Sequence, residues 1–439
     1  MTSLDTHYSS LEGRYHIERD DGYGALVVPN GNSTRPVHRW FHLKESFSAD
    51  LLERVLQDVG LVRRRKLMLL DPYAGVGTSL VSALAWGSQV KGRAVRAVGI
   101  EQNPFLQMVA ASKVRAMSDG ADDFADYRAR LLHAHRRCRF SPAPAPALST
   151  FANTTYFRVG DLAELLRLKA AIDRVDGSDS SKALARICLA ACLEPVSGLR
   201  RDGRALRYEP RKVRAEPTSE FERRTAHVID DLAFRTIGSS GTVVRGDGRH
   251  PLEQLREVSA DLVLFSPPYP NNIDYTEVYK LENWFLGFIS SANEFREQRL
   301  RTVRSHPSVF FPPEYEVSEN GYRSEFVHLV GPILDAIPNG RYQHQRRRLV
   351  RGYFDDMLAT LTRLRPLVAS EGRVVYVVGN SAHGHGASGF VIAADTVIAA
   401  LAEAAGYVVE KIVFARRPTR RNVDSDLLRE SVVFLRKPG

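Results

Sequence analysis

A chain of 439 residues is long enough for one large α/β domain with insertions, or for two domains. Its 44% hydrophobic and 26% charged residues are ordinary for a soluble globular protein, and no apolar run reaches the ~18 residues a bilayer-spanning helix needs. A formal charge of +10 favours a polyanionic partner over an acidic one.

At the N-terminus, MTSLDTHYSS has neither the basic stretch nor the apolar core of a secretory signal. Three cysteines, Cys138, Cys188 and Cys192, are too few and too irregular for a disulfide framework, so a cytoplasmic protein is expected. Lys66–Asp71 (KLMLLD) reads as a buried strand that runs through a Gly-x-Gly turn into a helical pattern over Thr78–Trp86, closed by Gly87. A second strand follows at Ala94–Glu101. From about 115 to 240 the chain is helical and charge-rich, with a Pro/Ala patch at SPAPAPALS; Cys188 and Cys192 sit there on one apolar helical face, as buried cysteines do. Strands at Thr242–Gly246 and Asp261–Phe265 come next, then a polar, irregular stretch from about 289 to 350. Arg373–Val378 is a further strand, and the helix end EAAGY leads into YVVEKIVFARR and RESVVFLRKPG, close enough to pair as antiparallel strands. Strands alternating with helices predict a parallel sheet with crossover helices, and long insertions at its carboxyl edge are where binding function usually lies.

The strand ends carry the chemistry. Gly75 and Gly77 let the chain turn sharply and let a ligand approach backbone amides at a helix N-terminus. A phosphate loop would place a lysine after the second glycine, and a nicotinamide fingerprint would want a third glycine where Leu80 stands. Asp71, at the end of the first strand, would repel a pyrophosphate but suit an ammonium or sulfonium. Glu101, at the end of the second, is placed to take both hydroxyls of a ribose. Asp247, in VVRGDGRHP after the third, is placed to accept from an adenine amine. Three acids in register beside a Gly-x-Gly turn point to an adenosine-bearing cation, and S-adenosylmethionine fits that description.

The fourth strand breaks into Ser266-Pro267-Pro268-Tyr269. Two prolines stop the strand and remove two backbone donors, leaving carbonyls that can only accept. An exocyclic base amine is conjugated into its ring and is a poor nucleophile. Acceptors on its two hydrogens, here Ser266 and the Pro267 carbonyl, help free the lone pair, and Tyr269 can stack on a base that has left its duplex.

DPYAGVGTS, GIEQNP and FSPPY together resemble the S-adenosylmethionine-dependent amino-methyltransferases of DNA, which act on cytosine N4 or adenine N6. The resemblance covers roughly 36–110, 240–288 and 350–439. It implies an α/β, Rossmann-like class I methyltransferase with a mostly parallel seven-stranded sheet, an antiparallel C-terminal hairpin and helical insertions. The chain would divide into 36–114, the first half of the core with the cofactor motifs; 115–240, a helical insertion for target recognition; 241–288, with the catalytic loop; 289–350, a polar DNA-contacting lid; and 351–439, the second half of the core. Asp71, Tyr73 (where the family usually has Phe), Ala74, Gly75, Gly77, Thr78, Glu101, Gln102, Asn103, Asp247 and Gly248 would hold the cofactor. RPVHRWFHLKESFSADLLERVL looks like that family's cofactor-wall motif and adds Trp40, Lys44, Phe47 and Ser48. Ser266, Pro267, Pro268 and Tyr269 would be catalytic. Tyr279, Lys280, Arg346, Arg347, Arg348, Arg417 and Arg420 are candidates for contact with nucleic acid.

Serine at the head of the catalytic motif is more typical of the cytosine-N4 group. The reading is therefore methylation of cytosine N4 in double-stranded DNA, with base flipping, no metal and no membrane, in a restriction-modification or related defence setting with a cognate endonuclease. Adenine-N6 methylation and an RNA amino-methyltransferase (adenine N6 or guanine N2) are the alternatives, and a catalytically idle adenosine-binding module is the non-enzymatic one. Cytosine-C5 chemistry is disfavoured, because it needs a nucleophilic cysteine, commonly after proline, and none of the three follows one.

Overall fold

In a computed structural model, which describes residues 3–439 apart from 138, 203–205, 256, 272, 340–342, 384–388 and 419–424, the apolar runs form one eight-stranded sheet. Its strands are β1 (Ile17–Arg19), β2 (Lys66–Asp71), β3 (Ala94–Glu101), β4 (Ser240–Arg245), β5 (Ala260–Phe265), β6 (Val368–Gly379), β7 (Val408–Arg416) and β8 (Glu430–Arg436). Across the sheet the order is β1-β7-β8-β6-β5-β2-β3-β4. β2 to β6 run parallel, while β8 is antiparallel to both β6 and β7. This is the class I methyltransferase arrangement, with one strand more than expected. The addition is β1, three residues too short to read from IER alone, which pairs in parallel along the outer edge of β7.

Side-chain alternation explains the layers. Leu69, Leu262, Leu264, Val375 and Val377 face one buried cluster; Leu70, Val263, Phe265, Val374 and Tyr376 face the other. Helices α1 (Thr78–Ser88), α2 (Pro104–Ser118) and α3 (Asp179–Val196) cover the first face. The second is covered by a helix at Arg323–Ala336 and by α5 (Gln343–Leu364) and α6 (Ala394–Ala404), while α4 (Ala292–Leu300) packs its Phe295 against the first cluster. Cys188 and Cys192 lie fully buried on α3, where burial raises both thiols, Cys188 to about 12. Among the described residues no helix is long and apolar enough to cross a membrane.

Two sequence expectations change. Gly87 does not end its helix, which runs to Ser88; a Cβ on Gly87 would come within 2.9 Å of Val95, so the glycine lets α1 lie close to β3. The stretch 289–350 is largely helical rather than irregular. Phe326, Leu329, Val330 and Ile333 form a buried face at helical spacing, a pattern obscured by Pro332.

Topology places the site. From β2 the chain moves outward through β3 to β4, then returns to lay β5 on the other side of β2. The carboxyl ends of β2 and β5 therefore flank a topological switch point, the crevice where open α/β sheets bind ligands.

Candidate functional site

A cavity of about 160 Å³ opens at that switch point. Asp71, Tyr73, Ala74, Gly75 and Thr78 line it from the first turn, Glu101, Gln102 and Asn103 from the second, Asp247 and Gly248 from the third, and Ser266, Pro267 and Pro268 from the fourth. Gly77 does not reach it. With φ of 82° it turns the chain into α1, and a Cβ there would meet Ala110 at 3.2 Å. Gly248 has a comparable constraint, since a Cβ would fall 2.2 Å from the Pro72 carbonyl.

The two central acids are held by local donors and short of water. Asp71 accepts from the Tyr73 amide at 2.9 Å and from the Ser79 hydroxyl. Glu101 accepts from the Gly75 amide at 2.8 Å and the Asn103 amide at 2.7 Å. Burial dominates these bonds and pushes each carboxyl up to about 7. The pair is poised to ionise fully when a cation or a set of hydroxyls enters.

Asp247, which lines the cavity, is paired with a neighbouring arginine. Its Oδ1 accepts from the Arg249 amide at 2.9 Å and from Nε at 3.0 Å; Oδ2 accepts from Nε at 3.0 Å and Nη2 at 2.7 Å. The carboxylate lines the cavity but is already engaged along both oxygens.

Of the four residues expected from the wall motif before β2, only Phe47 lines the cavity, joined by Leu43, Glu45 and Ser46 of the same motif. Trp40 is buried elsewhere: its Nε1 donates to Asp231 at 2.9 Å, and Asp231 also accepts from the Val37 amide and the Arg39 guanidinium. Lys44 donates to the Arg201 carbonyl at 2.6 Å, and Ser48 donates to the Asn30 carbonyl at 2.9 Å. The motif thus anchors its loop with these residues and presents the intervening ones. The buried Lys113 ammonium helps, donating to the carbonyls of His38 and Phe41; burial lowers it to about 7.

Ser266 Oγ donates to the Val377 carbonyl at 3.2 Å and lies 3.4 Å from the Tyr269 hydroxyl. Tyr269 itself is not part of the cavity wall. Its ring packs over Gly379, where a Cβ would meet it at 2.9 Å. The tyrosines that do line the cavity are Tyr73, Tyr275 and Tyr279.

Tyr279, expected at a nucleic-acid surface, is 2% exposed and donates to Glu45 Oε2 at 2.7 Å, so it belongs to the cavity wall. The other Glu45 oxygen is buried without a hydrogen-bond partner among the described residues, and burial raises that carboxyl. Behind Tyr279, Arg201 of the helical insertion packs on the ring at 5.2 Å and pairs with the buried Glu282 and with Glu194 at 2.8 Å. Lys280 pairs with Glu277. Arg347 donates to the Leu334 carbonyl at 3.1 Å and to the Ile337 carbonyl, capping the Arg323–Ala336 helix. Arg346 bonds Gln343 at 3.3 Å, Arg348 lies over Phe310 at 5.1 Å, and Arg417 pairs with Asp426 at 2.5 Å. Arg420 lies outside the described residues.

The sequence reading missed one whole wall. Gln298, Thr302, Val303, Ser305 and His306, from the 289–350 insertion, close the cavity. Their segment is clamped at both ends. Arg299 donates to Asp274 at 2.6 Å, while Arg304 pairs with Asp355 at 2.9 Å and Asp356 at 2.7 Å on α5. No motif marks these residues; the only sequence signal was an insertion at the functional edge of the sheet.

Sheet order and an acid-lined cavity at the switch point define a class I methyltransferase fold with its ligand crevice. No protein-family model matches the chain. Over nearly its whole length it is similar to the Type II methyltransferases M.AvaI of Nostoc sp. (strain PCC 7120) and of Anabaena variabilis, each at 24% identity across 94% of this chain and 89% of theirs. It is also similar to the Type II methyltransferase M.BsoBI of Geobacillus stearothermophilus, at 21% identity across 94% of this chain and 86% of that one. Among solved structures, the rRNA methyltransferase aviRa from Streptomyces viridochromogenes overlaps with a TM-score of 0.30 at 11% identity, over 95% of this chain and 94% of that one.

Proposed function

We propose that the chain methylates the exocyclic N4 amine of cytosine in double-stranded DNA, using S-adenosylmethionine. The observation that carries this is Ser266. Its single proton has two acceptors in reach, the Val377 carbonyl and the Tyr269 hydroxyl, and with Oγ donating to either one its lone pairs remain to accept from an amino group at the cavity edge.

The cavity residues fit the cofactor. Asp71 and Glu101 are buried acids that gain from a cation and from ribose hydroxyls, and the buried Glu45 Oε1 has no hydrogen-bond partner among the described residues. Phe47 and the Gly75 turn supply an apolar wall and a close backbone approach. When bound, S-adenosylmethionine supplies an electrophilic methyl group on a sulfonium. The chain's own residues then orient the amine: Ser266 Oγ and the Pro267 carbonyl take its two hydrogens, which weakens conjugation into the ring and directs the lone pair. Tyr269, outside the cofactor cavity, offers a flipped base its stacking surface. The reaction is a direct displacement, and the buried cysteines on α3 take no part.

DNA as the substrate is supported by the near-full-length similarity to Type II methyltransferases, by the FSPPY motif and by the formal charge of +10. A cognate restriction endonuclease is part of the same reading. The test is to incubate the protein with methyl-labelled cofactor and either DNA or RNA, digest, and identify the labelled nucleoside. N4-methylcytosine from DNA is the expected product. N6-methyladenine from DNA would overturn the base assignment, and label in RNA alone would overturn the substrate class.

A further inference from the structure

The acceptor that the sequence assigned to Asp247 has a better candidate beside it. Gln102, Asp247 and Gln298 form the partition between the cavity and a neighbouring groove. Arg249 engages both Asp247 oxygens. Gln298, by contrast, buries both Oε1 and Nε2 with no hydrogen-bond partner for either among the described residues. A buried amide left unpaired at both ends is costly, and a ligand that bonds both ends removes that cost.

The amide is also held in place. Gln298 lies on α4, one residue before Arg299, which is locked to Asp274; five residues beyond Arg299, Arg304 is clamped between Asp355 and Asp356. With Glu101 taken as the ribose acceptor, Gln102 next to it in the chain shares its partition with Gln298, which puts Gln298 on the side where the base attached to that ribose would lie.

We propose that Gln298 reads the adenine ring of the cofactor, with Oε1 accepting from the exocyclic amine and Nε2 donating to an adjacent ring nitrogen. This assignment rests on the S-adenosylmethionine reading above. It makes the 289–350 insertion part of the cofactor site and gives Gln298 a binding role there.

The test pairs a substitution with a ligand change. Affinities of the wild-type protein and Gln298→Leu are measured by calorimetry for S-adenosylhomocysteine and for its analogue with unsubstituted purine in place of adenine. Loss of the amide should weaken S-adenosylhomocysteine binding on the order of tenfold or more. The penalty for removing the purine amine should shrink in Gln298→Leu, a coupling that a merely structural residue would not show. The ligand-free variant should melt at or above the wild-type temperature, because an unpaired buried amide has been removed. Unchanged affinity, an undiminished amine penalty, or a marked fall in the ligand-free melting temperature would each overturn the assignment. Wild-type protein that binds neither ligand would instead overturn the cofactor reading itself, and this inference with it.

Discussion

Cofactor affinity should rise steeply with pH through neutrality. In the free protein burial pushes Asp71 and Glu101 each up to about 7, against ordinary values near 4. A cationic, hydroxyl-bearing ligand needs both ionised. For a group titrating near 7, moving from pH 8 to pH 6 cuts the ionised fraction about tenfold, so two groups together lower affinity about 100-fold, or ~2.7 kcal/mol. The sign for folding is opposite. Both groups have folded values raised above their unfolded ones, so their contribution to ligand-free stability is fully present below about pH 4 and is lost as pH rises through 7. Ligand-induced stabilisation should therefore widen between pH 6 and 8. Titration calorimetry at pH 6, 7 and 8, in buffers of different ionisation enthalpy, reads both the affinity and the protons released. Glu101→Gln should remove about one proton from the pH slope. Comparing it with the wild type cancels the ligand's own titration. A wild-type profile flat across this window, or an unchanged slope in Glu101→Gln, would refute the reasoning.

Other outcomes follow from particular contacts. Tyr269→Ala should lower turnover on DNA by ~10- to 100-fold, the equivalent of one lost base stack, while leaving S-adenosylhomocysteine affinity within about twofold; an equal loss of both would put the ring in the cofactor site. Trp40→Phe breaks the bond to Asp231 and should cost about 1–2 kcal/mol in denaturant unfolding without changing cofactor affinity. If affinity drops instead, Trp40 is a cavity wall after all. Arg304→Ala leaves Asp355 and Asp356 buried without their shared cation and should destabilise the protein by about 3–5 kcal/mol, seen as a lower urea midpoint. A midpoint within error of the wild type would show that the clamp is not formed in solution.

Legibility in the sequence followed distance along the chain. β2, β3 and β5 were readable because each buried strand concentrates apolar residues in a short run and ends at a turn with its own chemistry. The strand-end acids followed from the same logic: a parallel sheet brings its carboxyl ends together, so one residue per strand suffices to name a site. β1 was not readable, because three residues carry no period, and its pairing is dictated by the exposed edge of β7. The loop before β2 shows the middle case. Its motif was recognised, yet which side chains reach the cavity depends on anchors such as Asp231 that lie nearly 200 positions away.

The least legible part of the site is also its most informative one. Gln298 is surrounded in sequence by charged residues, NEFREQRLR, and there it has the appearance of a solvated helix face. What buries its amide is the return of the segment across the cavity mouth, fixed by ion pairs from Arg299 and Arg304 to acids on two separate elements. Those arginines and acids are individually unremarkable, and only their pairing gives the insertion a defined position. Several of the chain's arginines act internally: Arg249 on Asp247 and Asp356, Arg304 on Asp355 and Asp356, and Arg201 on Glu194 and Glu282. Each of these pairs holds an insertion or loop against the cavity, and because three arginines meet five acids there, the net charge of +10 is carried by other residues.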